Sequence, residues 1–465
     1  MASQVKKLSH EMDMTHGPLL GKIITFAIPV MLSGCLQLLF NAADTIVVGR
    51  FAGSTSLAAV GSTGALINLV IGLFFGLSVG VNVLVARYYG AGQNRDLSET
   101  VHTAVIASVL FGVILIFLGV AVARPMLELM GTPDDVIDLS VLYMRIYFVG
   151  MPAMMLYNYA ASILRAIGDT KRPLYYLITA GVINVILNLI LVIVFGLGVA
   201  GVAIATDVSQ VVSAILTVRC LIKDGDKPYG LRMSELKINK EKLIEMTKIG
   251  LPAGIQGCVF SLSNMVVQSS VNSFGSTVMA GNTAASNIEG FVYMAMNSFY
   301  QTAISFTSQN FGARKFHRIN KVGLYCQACV VATGLILGIG AYLGARPLLG
   351  IYTSDQEVIK YGVLRMGFCC APYFVCGMMD TMVGMLRGLG YSVVPMFVSI
   401  GGACGLRLLW IFTVFAHHKT LDTLYIVYFI TWTVTFLCHL ICFIVIRKKY
   451  PKDDAPDPVY EPIKI

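Results

Sequence analysis

The sequence predicts an all-α polytopic membrane protein with twelve transmembrane helices in two parallel six-helix repeats around a central cavity. Composition is the first observation behind this. Of 465 residues, 56% are hydrophobic and 13% charged, too little polar surface for a soluble protein of this size. The second is an internal repeat. Gly90 and Gly312, Arg124-Pro125 and Arg346-Pro347, Leu164-Arg165 and Leu386-Arg387, and Gly53-Ser54-Thr55 and Gly275-Ser276-Thr277 each lie 222 positions apart. LRAIGDTKRP (164–173) against LRGLGYSVVP (386–395) keeps Leu, Arg, Gly and Pro in register. A period this long marks a duplicated half-protein, not a solenoid. Membrane transporters are often built this way, with the substrate site between the repeats.

The apolar runs follow in order at 22–47, 57–83, 99–123, 137–159, 173–196 and 200–222, then 246–271, 279–306, 322–344, 357–384, 393–415 and 422–446. Each suffices for a hydrocarbon core of ~30 Å, which takes roughly 20 residues of helix. The predicted organisation is an N-lobe over 1–222, a cytoplasmic linker over 223–245, and a C-lobe over 246–465 that ends in a cytoplasmic tail. An even number of spans per repeat gives both halves one orientation, related by a pseudo-two-fold axis along the membrane normal.

That places both termini on one side. Twenty-six Lys and Arg fall in the tails and even-numbered connections, against Arg50, Arg124, Arg346, Lys360 and Lys419 in the odd-numbered ones. This asymmetry puts both termini in the cytoplasm. The net charge of +9 therefore reflects topology, and nothing calls for nucleic acid. The linker stretch from Lys223 to Lys248 reads as solvated chain, or as a segment lying on anionic lipid. The polar start MASQVKKLSHEMDMTHG carries no cleavable signal peptide, so the first span acts as the targeting signal. Eleven Cys, lying almost entirely in apolar runs, form no disulfide framework and pack as small hydrophobes. The seven His show no metal-ligand spacing.

An ionised side chain at mid-bilayer costs on the order of 3 kcal/mol on insertion scales, so acids inside spans need a reason. The candidates are Asp44, Asp207, Glu289 and Asp380. Gln37, Asn41 and Asp44 follow at i, i+4 and i+7 and share a helical face, a stripe that suits a cation or proton site or plain hydrogen bonding between helices. Asn184 and Asn188 are one turn apart on span five, and Thr206, Gln210 and Ser213 mark span six; with Asp44 they offer oxygen ligands for sodium or a network around a protonated carboxyl. Asp207 points about 100 degrees from Thr206. Glu289, Tyr293, Asn297 and Tyr300 share a face of span eight, while Asp380, six residues before Leu386, matches Asn158, six before Leu164. Glu289 and Asp380 either draw a cationic substrate into a cleft or pair with Arg365 or Arg407. Met378, Met379, Met382 and Met385 with Met294 and Met296 form an adaptable wall or ordinary packing. Pro29, Pro152, Pro252 and Pro372 interrupt spans one, four, seven and ten, with Pro29 and Pro252 the candidate hinges.

In FNAADTIVVGRFAGSTSLAAVG (40–61), VARYYGAG (85–92), LRAIGDTKRP, INVILNLILVIVFGLGVAGVAIAT (183–206), SQNFGA (308–313) and LRGLGYSVVP, the chain resembles the multidrug and toxic compound extrusion (MATE) family, bacterial type, along nearly its whole length. The resemblance implies two six-helix lobes around a central cavity and drug export driven by inward flow of Na+ or H+. It also implies an ion site at Asp44, Asn184, Asn188 and Thr206, with Asp44 a candidate Na+ ligand; the helical-face reading adds Gln37 and Asn41 to that site. Asn188 departs from the family pattern, which has an Asp there. The substrate cavity is expected at Glu289, Asp380, Tyr293, Asn297, Met296 and Asn158. The expected protein is a monomeric antiporter for amphipathic, cationic small molecules in the bacterial plasma membrane, not an enzyme and with no cofactor beyond the coupling ion. The alternative is a flippase or exporter for one lipid-linked or amphipathic metabolite. That would call for several basic cavity residues, and only Arg145, Arg365 and Arg407 lie within spans. A membrane enzyme or channel finds no nucleophile-base constellation, HExxH, phosphate loop or TVGYG filter here.

Overall fold

The computed structural model of the chain describes residues 10–451. Lys6, Lys7, Lys452 and Lys464, which contribute to the charge asymmetry, lie outside the described residues, as does most of the tail that follows the last helix. The first half holds α1 (Leu19–Phe51), α2 (Ser54–Gly90), α3 (Asn94–Leu129), α4 (Asp134–Val149 and Met151–Ala166), α5 (Lys171–Val194) and α6 (Gly198–Lys223). The second holds α7 (Lys240–Asn272), α8 (Ser276–Gly312), α9 (Phe316–Leu343), α10 (Gln356–Cys369 and Tyr373–Gly388), α11 (Val393–Phe415) and α12 (Leu421–Arg447). The helices overrun several of the apolar runs because hydropathy registers only the part meant for hydrocarbon, while α2, for one, continues through polar residues to Gly90.

Among the described residues, nine single helices and the two bent ones are long and apolar enough to span a bilayer. The exception is α8, 37 residues long but dense in Asn, Ser, Thr and Gln. Its polarity is spent inside the protein. Ser305 donates to Asn82 of α2 at 3.0 Å and Gln309 to the Ala166 carbonyl of α4 at 2.6 Å, while Asn310 donates to the Met14 carbonyl at 3.2 Å. A span whose donors are met by neighbouring helices need not be apolar.

The four prolines behave differently. α4 bends by 48° between Val149 and Met151 and α10 by 45° between Cys369 and Tyr373, next to Pro152 and Pro372. Pro29 and Pro252, by contrast, sit inside unbroken helices, so the expected interruptions of spans one and seven are absent. Membrane helices tolerate proline without breaking. The repeat is also conformational. Gly53 (φ 88°) and Gly275 (φ 99°) precede α2 and α8 in a backbone region that L side chains rarely adopt.

The two lobes meet at the end of the bundle that carries both chain ends, here called basal. Gly76 and Gly80 of α2 lie against Gly254, Gly250 and Met246 of α7 so closely that an added Cβ would overlap backbone. Beyond Gly72 and Cys258 the helices diverge: nothing lies within 4 Å of where Cβ atoms on Gly61 or Gly64 would stand. Polar contacts reinforce the base, with Lys242 pairing with Asp96 at 2.7 Å and Tyr88 donating to Glu245 at 2.7 Å.

The segment His10–Gly17 straps this base. Glu11 accepts hydrogen bonds from Tyr89 (2.8 Å) and Tyr229 (2.9 Å) on the N-lobe side. Arg318 at the start of α9 donates to the carbonyls of Met14 (3.2 Å), His16 (2.9 Å) and Gly17 (2.8 Å). Partial burial raises the pKa of Asp13, but hydrogen bonds from Thr15 and His16 outweigh it and hold the carboxyl at about 2.

Two outcomes are expected. Gly254→Ala overpacks the α2–α7 contact at a cost of about 1–3 kcal/mol, seen as a lower unfolding temperature by tryptophan fluorescence. A carboxylate with a depressed pKa stabilises above its usual 3.8 and loses that contribution as pH falls toward about 2. Pepsin nicking within residues 10–17 should therefore be slow at about pH 4 and accelerate below about pH 3.

Candidate functional site

In the distal half of the N-lobe, α1, α5 and α6 bring four predicted residues together. Asp44, Asn184 and Asn188 are buried, and Thr206 is half-buried beside them. Asn188 donates its amide to one Asp44 oxygen, and Thr206 donates its hydroxyl to the other at 3.3 Å. Asn184 accepts from Asn188 at 3.2 Å and donates to Thr206 at 3.4 Å. The local backbone helps: directly after Asn188, α5 widens into a π-helical stretch, Leu189–Val194, of the kind often found at functional sites. The Asn188 Oδ1 atom is buried and has no hydrogen-bond partner among the described residues. An orphaned carbonyl oxygen beside a carboxylate, a second amide oxygen and a hydroxyl is an all-oxygen donor set that fits a hard cation such as Na+, or a proton held on Asp44.

Gln37 and Asn41 do not join this cluster, contrary to expectation. Among the described residues no hydrogen bond links either side chain to Asp44; Asn41 is exposed, and Gln37 lines a different cavity. Periodicity placed the three on one face but not at one depth. Asp207 packs its carboxylate against Gly150 at the α4 bend and lines none of the three cavities or clusters described here. At the positions 222 residues on from Asp44, Asn184, Asn188 and Thr206 stand Val266, Leu406, Trp410 and Tyr428, so the C-lobe holds no copy of the cluster.

The C-lobe instead encloses a cavity of about 610 Å³ among α7, α8, α10, α11 and α12. Asp380, Tyr293, Asn297 and Glu289 all line it, as expected. Glu289 is paired with Arg365 at 2.7 Å, and Arg365 also donates to Asn282 at 2.8 Å. Among the described residues Asp380 has no hydrogen-bond or ion-pair partner, and it is only half-buried, opening into the cavity. Arg407 donates to Asn264 at 2.8 Å and stacks 4.5 Å above the Tyr428 ring. Met296 is a correction: fully buried in the C-lobe core, it lines no part of this cavity. Of the span-ten methionines only Met379 reaches the cavity; Met382 and Met385 are buried in packing.

A second cavity of about 330 Å³ lies between the lobes. It adjoins the first, since Ala253, Asn297, Tyr300 and Arg387 line both. Asn158 and Gln37 line it, as do Val30 and Ala253, the neighbours of Pro29 and Pro252. So do Arg165 and Arg387, which sequence reasoning passed over. The signal was present: both are landmarks of the repeat, but a position at the end of a span gave no reason to turn them inward. Arg145, by contrast, is exposed and lines neither cavity.

Twelve membrane helices in two lobes, with polar cavities within and between them, define the class: a multi-pass membrane transporter built on a duplicated six-helix unit. The chain belongs to the MATE family: the MatE family profile matches residues 29–190 and again 252–413, one copy in each half. It is 30% identical over 411 residues to the probable multidrug resistance protein YoeA of Bacillus subtilis (strain 168), covering 86% of this chain and 87% of that protein. It is 21% identical over 380 residues to the multidrug export protein MepA of Staphylococcus aureus (strain N315), covering 80% and 82%. An outward-facing multidrug resistance MATE family transporter of the MOP superfamily superposes with a TM-score of 0.88 at 21% identity, over 96% of this chain and 99% of that one. At that identity the likeness establishes the shared fold.

Glu289→Gln should be costly, because it strands the Arg365 guanidinium in a buried site. A loss of about 3–5 kcal/mol is expected in thermal unfolding, with recovery when Arg365→Met is added.

Proposed function

We propose that the protein is a secondary active antiporter that exports amphipathic organic compounds in exchange for Na+ or H+ by alternating access. One observation carries the reading: a single helix, α1, holds Asp44 toward its distal end and lines the inter-lobe cavity with Val30, Ser33, Gly34 and Gln37 nearer its basal end. A cation arriving at Asp44 competes with the hydrogen bonds from Asn188 and Thr206, and α1 transmits the change to the cavity wall. A coupling of about 1–3 kcal/mol between ion and substrate is enough for useful exchange. Pro29, with no amide hydrogen to lock its turn, is the natural place for α1 to flex.

Amphipathic substrates are supported by the aromatic lining of the C-lobe cavity, including Tyr293, Tyr373 and Trp432. A cationic group is supported by the unpaired Asp380 carboxylate. The names of the relatives, a multidrug resistance protein and a multidrug export protein, are in keeping with drugs as cargo. The charge asymmetry of the connections supports a bacterial plasma membrane protein with its basal end in the cytoplasm. A complete set of cavities within one chain supports a working monomer, and the coupling ion is the only small inorganic partner the reading needs.

A flippase for a lipid-linked metabolite is the second reading, and Arg165 and Arg387 favour it more than the sequence did, since they add two guanidinium groups to the inter-lobe cavity. Ethidium efflux from proteoliposomes, with sodium and pH gradients imposed separately, discriminates. Export should follow one gradient and fall by about tenfold or more in Asp44→Asn, the loss expected when about 1.4 kcal/mol or more of coupling disappears. Full gradient-driven export by that variant would remove Asp44 from the mechanism.

A further inference from the structure

We infer that the inter-lobe cavity is an anion-recognition site in which Arg165 and Arg387, one from each lobe, grip a carboxylate or phosphate group of the transported compound. The inference rests on the export reading and adds to it a substrate class: amphipathic compounds bearing an anionic group, zwitterions included.

The lining of this cavity contains two arginines and no carboxylate. Neither guanidinium has an ion-pair partner among the described residues. Arg165 donates to Ser162 Oγ at 3.1 Å, and its Nε is buried with nothing to bond. Arg387 donates to the neutral acceptors Tyr300 Oη and Gln256 Oε1 (2.8 Å for the latter), and its Nε is likewise orphaned. The carboxylate that acts on Arg387 electrostatically is Asp380 in the adjoining cavity, without forming an ion pair. Two uncompensated guanidinium groups in a membrane-embedded cavity are expensive to keep there. A planar fork that matches carboxylate and phosphate geometry is also the side chain best suited to recover that cost from a ligand.

The repeat makes the same point independently. Asp380 corresponds to Asn158, Glu289 to Ile67, Arg365 to Tyr143 and Arg407 to Val185, so each of these charges belongs to the C-lobe alone. Arg165 and Arg387, 222 positions apart, are a charge retained in both halves. They sit near the basal ends of α4 and α10, on opposite lobes, where the lobes touch. Because α4 and α10 belong to different lobes, separating the lobes at the base changes the spacing of the two guanidinium groups. An anion held by both is therefore bound best while the base is closed. Arg387 lines both cavities, so the body of such a ligand extends toward the aromatic C-lobe cavity, where Asp380 is placed to meet a cationic group.

The test compares rhodamine B, which carries a free carboxylate, with its ethyl ester, in which an ethyl group masks that charge and the cationic ring system is unchanged, by fluorescence anisotropy with the purified full chain. The wild-type protein should bind the acid about tenfold more tightly than the ester, the worth of one charge-assisted bidentate contact. Arg165→Gln and Arg387→Gln should each abolish the preference, lowering affinity for the acid far more than affinity for the ester. The acid and ester contrast in the wild-type protein needs no substitution, so misfolding of a variant cannot mask the answer. Displacement of the acid by dihexanoyl phosphatidylglycerol assigns the anion to a lipid headgroup, and displacement by benzoate alone assigns it to a soluble carboxylate; both support the site. Equal binding of acid and ester, or a preference that survives both substitutions, overturns it. Gradient-driven export of the ester without preference for the acid would defeat this site and leave the antiport reading standing; acid preference without gradient-driven export would do the reverse.

Discussion

Everything in this molecule hangs on the place where α2 and α7 touch. Gly76 and Gly80 on one helix and Gly250 and Gly254 on the other let two backbones approach where no side chain fits. Packing through small residues is how membrane helices associate when the hydrophobic effect offers no drive between them. Because that contact lies toward the base, the lobes part beyond Gly72 and Cys258, and a cavity opens between them. In the proposed alternating-access cycle this contact would have to break, together with the Lys242–Asp96 pair and the strap through Glu11 and Arg318 that brace the same end. A closure assembled from many small interactions suits a carrier, since none has to be broken at great cost by itself.

The two halves share a fold and have divided their chemistry. Polar groups in the N-lobe converge on one buried acid, with amides and a hydroxyl around it; at the corresponding C-lobe positions stand Val266, Leu406, Trp410 and Tyr428. The C-lobe carries Glu289–Arg365, Arg407 and Asp380, at positions that in the N-lobe are Ile67, Tyr143, Val185 and Asn158. One lobe thus holds a compact oxygen cluster sized for a small ion, the other a roomy aromatic cavity sized for an organic molecule. Asn188 in place of an acid leaves Asp44 as the single negative charge of its cluster. In the proposed exchange, a cluster with one charge would be compensated by one monovalent cation or one proton.

The spans, their number and the duplication were all legible, because hydropathy and a long-range repeat are written directly in residue order. So was the cluster of Asp44, Asn184, Asn188 and Thr206, as the residues that carry it sit on adjoining helices and polar groups in spans are few. Depth was not. Gln37 and Asn41 share a face with Asp44, but helical periodicity gives an angle and not a level, and the structure puts Gln37 into the inter-lobe cavity and leaves Asn41 exposed. Side-chain direction was equally hidden: Met296 lies on the same span as the cavity residues Tyr293 and Asn297 yet points into the core. Arg165 and Arg387 were read as span-end landmarks, since composition cannot distinguish an arginine facing headgroups from one turned into a cavity. Bends at Pro152 and Pro372 but not at Pro29 and Pro252 are set by the packing around each helix, which residue order does not carry.

In the proposed exchange, a cation at Asp44 changes how the lobes sit relative to one another. Labels at Thr55 and Ser276, near the distal ends of the two lobes, would report this as an electron-spin distance distribution in a lipid nanodisc. Adding the coupling cation should shift the distribution in the wild-type protein and leave it unmoved in Asp44→Asn. A shift of the same size in both, or in neither, would show that Asp44 does not govern the movement of the lobes.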